Sequence, residues 1–119
     1  MQTVLLQDWL TIAGHDGIGP IAQSAHDYVD LGDHEDLVFY LQVADASGGP
    51  ALSYQTSPTR QDSSFLPMIA PVTMSPGTRA DRVFFATAAV PPARYVRWSV
   101  KGGTAFSTTF RVWVCAYSF

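Results

Sequence analysis

Cysteine is nearly absent: Cys115 stands alone in 119 residues, which excludes an intramolecular disulfide and a multi-cysteine metal site. Its surroundings, FRVWVCAYSF, read as an apolar strand, so the thiol is expected as a small packing group and not a reactive one. Charge is scarce too. Asp, Glu, Lys and Arg make up 14% of the residues against 47% apolar, a balance that excludes a disordered chain and predicts one ordered domain over residues 1–119. The net charge of −3 excludes the basic face that sequence-independent nucleic-acid binding needs. No run approaches the roughly 18–20 apolar residues of a membrane span. The opening MQTVLLQDWLTIAG lacks the basic segment and cleavage site of a signal peptide. A soluble protein made in the cytoplasm is expected, with the surface of a virion or particle as one destination.

Helical spacing is missing almost everywhere, and β-type runs recur between Gly/Pro turns. Strands are expected at 3–13, 24–31, 37–45, 51–57, 67–75, 82–90, 94–102 and along TTFRVWVCAYSF, with turns at 14–20, 32–36, 46–50 and 75–81. Pro71 confines the 67–75 strand to an edge. Seven or eight strands at regular spacing predict an all-β, antiparallel sandwich, a jelly roll of about eight strands. Alternation puts Leu37, Phe39, Leu41 and Val43 inward, with Val96, Trp98, Val112 and Val114 opposite them. On the last strand it leaves Arg111, Trp113 and Tyr117 facing outward, covered by a loop or by a neighbouring strand's side chains, or set against a ligand or second subunit.

YVDLG at 28–32, the LSYQTSP strand and ARYVRWSV at 93–100, followed by a closing apolar strand, fall in an order that resembles the discoidin-type, galactose-binding-like jelly roll. The resemblance covers residues 28–119. It implies an eight-stranded jelly roll with ligand loops at one end, often for sugars or lipid head groups, sometimes with a structural calcium. The chain departs from that pattern in its short length and in lacking the cysteines and signal peptide of secreted members.

Five acids fall within ten residues: Asp27, Asp30, Asp33, Glu35 and Asp36. Calcium takes several carboxylate oxygens from such a loop, so this is the one metal candidate, although the spacing is not that of an EF-hand. A solvated acidic turn is the plainer expectation, and no cofactor is expected. His15, His26 and His34 each neighbour an acid but lack zinc-ligand spacing. There is no G-x-S-x-G elbow, and the Gly-rich GHDGIGP precedes no helix that could hold a phosphate. No enzymatic activity is expected.

Residues 1–59 hold eight acids and neither Lys nor Arg, whereas residues 60–119 hold seven Lys and Arg against two acids. Either the two halves interleave within one sandwich, or the molecule has an acidic and a basic side suited to head-to-tail contacts. Pro58 ends the 51–57 strand, and Thr59 to Ser64 are too polar to be buried, so they form an exposed loop before Phe65 and Leu66 return to the core or an interface. With Arg60 and Asp62 near its tip, the loop is expected as a subunit contact, not a catalytic element. The leading expectation is a non-catalytic assembly protein, a subunit or decoration of a virion, shell, tail or similar particle, partnered by copies of itself or by other subunits. The alternative is a glycan-binding module. Its loop aromatics Tyr54 or Phe65 would stack on a sugar, while Arg60, Gln61 and Asp62 bond its hydroxyls.

Overall fold

A computed structural model of the chain describes residues 1–15, 19–32, 34–103 and 105–118. The long alternating runs become long strands: β1 (Gln2–Gly14), β4 (Asp36–Ser47), β5 (Ala51–Ser57), β8 (Gly77–Val83), β9 (Tyr95–Lys101) and β10 (Phe106–Tyr117). Four segments of two residues join them: β2 (Ile21–Ala22), β3 (Val29–Asp30), β6 (Leu66–Pro67) and β7 (Val72–Thr73). Sheet A runs β1-β10-β4-β8. Sheet B runs β2-β9-β5-β6, with β3 also on β9 and β7 also on β5. Every pairing is antiparallel.

The pairings are nested. β2 and β3 are two pieces of one strand position along β9, and β6 and β7 are two pieces of one along β5. Counted so, eight positions pair first with last, second with seventh, third with sixth and fourth with fifth. That is a long hairpin rolled into two facing sheets, a jelly roll.

Both interruptions have local causes. Between β2 and β3, residues Ala25–Asp27 form a 3-10 turn capped by Ser24, whose hydroxyl accepts from His26 N. Buried Gln23 replaces the lost ladder: its amide donates to Leu6 O at 2.7 Å and to Asp27 O at 3.0 Å, and its backbone N–H donates to Trp98 O. Between β6 and β7, Pro67 and Pro71 have no N–H to give, and the buried Met68 is held by its own N–H on Tyr54 O. The step from sheet A to sheet B after β4 runs through Gly48 and Gly49, both at positive φ. A Cβ on Gly48 would lie 2.0 Å from Ala105 O, so only glycine fits there.

The core sits between the sheets and is built by period-two alternation. Leu37, Phe39, Leu41 and Val43 of β4 face inward beside Phe110, Val112, Val114 and Ala116 of β10. Leu52 and Tyr54 of β5 and Val96, Trp98 and Val100 of β9 meet them from sheet B. Phe39 stacks on Tyr54, and Trp98 meets Phe110 edge-on with centroids 5.0 Å apart. Each such side chain contributes about 1.5–3 kcal/mol on burial.

Three expectations are corrected. Val112 and Val114 lie on β10, the strand paired with Phe39's own β4 in sheet A, and not across the core from it. The strand expected at 82–90 lies at Gly77–Val83, and Phe84 to Ala88 make a turn closed by Thr87 and Ala88 N–H on Phe84 O. β8 is an edge strand with polar side chains, blunted by Arg79 and Asp81, which pair through two bonds of 3.0 and 2.8 Å. The 24–31 strand is the split β2 and β3. The two charge halves do interleave, because nested pairing sets first-half strands beside second-half ones.

Candidate functional site

The polar loop after β5 is held to the outer face of sheet B by one arginine. Arg97 projects outward from β9 opposite Gln55, yet it is buried. Its guanidinium lies 4.2 Å from the Phe65 ring centroid and 5.5 Å from that of Tyr28. It donates to Gln55 Oε1 at 2.7 Å, to Tyr28 Oη at 2.8 Å and to Asp62 Oδ1. Phe65 and Tyr28, themselves 4.7 Å apart, roof the cation and exclude water, which strengthens both the ring contacts and the charged bonds. Inside the loop, Ser64 Oγ donates to Gln61 O and lies 2.5 Å from Ser57 Oγ and 2.9 Å from Thr59 Oγ1. The loop is thus ordered by its own hydroxyls.

Of the residues expected to touch a ligand there, Arg60, Gln61 and Asp62 are exposed. Arg60 lies over the Tyr95 ring at 4.8 Å and reaches Ala25 O at 3.4 Å. Phe65 is buried under its own loop. Tyr54 is withdrawn from the surface altogether: it is an inward residue of β5, fully buried on Phe39. That burial, with Asp81 nearby, pushes its phenol pKa above the ordinary tyrosine range.

The acidic turn does not converge. Asp30 accepts from Arg94 Nε and Nη2 at 3.0 and 2.9 Å and from Gly32 N–H. The Arg94 bond, followed by that from Gly32, holds the Asp30 carboxyl below its usual pKa. Asp36 Oδ1 accepts from Phe85 N–H at 2.9 Å. Asp27 belongs to the 3-10 turn and Glu35 is exposed. Asp33 lies outside the described residues, as do residues 16–18 of the Gly-rich loop. Among the described residues, no three His, Cys, Asp or Glu side chains stand where they could share a metal ion. Asp30, His34, Glu35, Phe85 and Arg94 instead edge an open cleft of about 670 Å³ at this end of the sandwich.

Arg111 and Trp113 do face outward, on sheet A, and a neighbouring strand's side chain, Trp9 of β1, lies against Arg111. The Arg111 guanidinium lies over two indoles, 4.8 Å from the Trp9 ring centroid and 5.7 Å from that of Trp113, and donates to Gln42 Oε1 at 2.8 Å. One register row runs Leu5, Trp113, Tyr40 and Ala80 across all four strands. The next runs Thr3, Cys115, Val38 and Arg82, with Cys115 half-buried against the Thr3 hydroxyl at 3.7 Å. Tyr117 is half-buried at the end of the same face. Trp9 is 47% exposed and Tyr40 is 41% exposed, so this aromatic surface is open to solvent. Trp9 was legible only as the one large aromatic residue among aliphatic neighbours in VLLQDWLTIA.

Sheet B carries a second feature at its other end. An apolar groove of about 370 Å³ is lined there by Pro20 and Pro71 together with Ala51, Ser53, Ser99 and Lys101.

No protein-family profile and no curated protein matches the sequence. In structure, the chain is similar to the K1 cleaved adhesin domain of Lys-gingipain from Porphyromonas gingivalis W83, with a TM-score of 0.52, 14% identity and 98% of each chain covered. That likeness shows the fold, an antiparallel β-sandwich, and does not extend to the discoidin family in particular. No helix among the described residues is long and apolar enough to cross a membrane.

Proposed function

We propose that the protein is a non-catalytic jelly-roll subunit, one domain over residues 1–119, that assembles with copies of itself or with other subunits of a virion, shell, tail or similar particle. The outer face of sheet A carries this reading. Trp9 and Trp113 lie against Arg111, and Tyr40 is the register partner of Trp113; these are the residue types that dominate protein–protein contacts, and Trp9 and Tyr40 are exposed. Arg111 is already fixed by two rings and by Gln42, so docking orders little that is not ordered beforehand. The glycan-binding alternative keeps only Arg60, Gln61 and Asp62 on the surface, because Tyr54 and Phe65 are covered.

Replacing Trp9 and Tyr40 together by serine tests the reading. Both side chains are exposed, so the fold persists, and light scattering is expected to show a smaller species than for the unaltered protein. An unchanged mass would remove sheet A from the contact.

A further inference from the structure

The turn after β8 carries an exposed ring beside acidic side chains, and the groove on sheet B is apolar with a lysine among its lining residues, so the two are complementary in charge. Phe85 is 54% exposed, yet its backbone is fixed. Its N–H donates to Asp36 Oδ1, the turn is closed on Phe84 O, and Ala89 N–H donates to Met68 O at 3.1 Å. A large ring on a fixed backbone loses little entropy when it docks. Its surroundings are acidic: Asp36 holds its amide, Glu35 shares its cleft, and Arg94 of that cleft is bonded to Asp30. The groove is apolar, with Lys101 as the one charged group among the described residues lining it.

These two features sit at opposite ends of the sandwich. β9 begins at Tyr95 beside Asp30 and Ser57, and ends at Lys101 beside Ala51. β4 begins beside β8's last residues, just before Phe85, and runs to the groove end. Projection and groove therefore cannot meet within one molecule. A contact that joins them between molecules is head-to-tail and propagates.

We propose that Phe85 of one copy seats in the Pro20–Pro71 groove of a second copy, with Glu35 set against Lys101. The proposal rests on the assembly reading above and deepens it. A self-complementary sheet A face alone closes at a dimer, whereas growth beyond a dimer needs a second contact, which a head-to-tail pairing supplies.

Two substitutions each disable one side. Phe85→Asp removes the projection. Gly103→Trp fills the groove, and an added Cβ at Gly103 meets nothing within 4 Å. Melting followed by circular dichroism checks that both variants fold. In light scattering across a dilution series, each variant alone is expected to need about tenfold more protein, or more, to form the large species, the usual consequence of losing a buried aromatic anchor. An equimolar mixture should regain much of the lost mass, because each variant supplies the side that the other lacks. Should either variant not fold, the exposed pair replaces it: Lys101→Glu weakens assembly, and adding Glu35→Lys in the same chain restores it. Unaltered protein that assembles while the variants match it, or a mixture no heavier than its components, overturns this contact and leaves the sheet A reading standing. Unaltered protein that stays monomeric throughout overturns both.

Discussion

Phe39 of sheet A and Tyr54 of sheet B stack across the core with centroids 4.0 Å apart and planes inclined by 13°. Both are fully buried, and their strands sit next to an edge strand of each sheet. Truncating Phe39 to alanine removes the sheet A half of this stack and leaves a cavity the surrounding strands cannot close. Chemical denaturation should show a loss of about 3–5 kcal/mol. A loss under about 1 kcal/mol would mean that β4 pairs one residue out of the register described.

The Tyr54 hydroxyl has no hydrogen-bond partner among the described residues. A buried polar group without a partner costs stability, so Tyr54→Phe should be neutral or stabilising, within about 1 kcal/mol, in the same denaturation experiment. A clear loss would show that the hydroxyl is bonded.

Much of this architecture was legible in the alternation of LVFYLQVAD, RYVRWSV and TTFRVWVCAYSF, because strands half-buried in a sandwich must alternate. The edge was not. Phe84 and Phe85 look like strand residues but sit exposed on a turn, while the charged GTRADRV pairs with β4, because edge strands are selected against apolar surface as much as for pairing. The split strands were hidden because a 3-10 turn and two prolines leave pairs of residues too short to show a period. At the candidate surfaces, Arg111 and Trp113 were readable from parity alone. Trp9 and Arg97 were not: each acts through residues far away in sequence, which only the nested pairing brings together.

Arg97 should matter more than the carboxylate it meets. Its side chain is 8% exposed and that of Asp62 is 81% exposed, so water screens the ion pair while the ring contacts stay dry. Arg97→Ala should cost about 2–3 kcal/mol in urea, through lost ring contacts and charged bonds. Asp62→Asn should cost under about 1 kcal/mol, and Arg60→Glu about 0.5 kcal/mol or less. Equal losses for Arg97→Ala and Asp62→Asn would assign the loop's order to the ion pair.

At the acidic turn, Arg94 holds the Asp30 carboxyl below its ordinary pKa. A depressed folded-state value means that this pair's stabilisation is present above the unfolded pKa of an aspartate and is lost as pH falls through the folded one. NMR titration should therefore give Asp30 a low midpoint that Arg94→Gln raises towards the ordinary value; an unmoved midpoint would remove Arg94 as the cause. Because Asp30 and Asp36 are already bonded, millimolar calcium should leave the melting temperature unchanged. A rise of several degrees would show a calcium site.

The central claim is assembly, and the mass of the unaltered protein in solution tests it most directly. Size-exclusion chromatography with light scattering, run across a dilution series at low salt, should give species well above the 12.9 kDa of one chain, growing with concentration. A single 12.9 kDa species at every concentration would contradict the account.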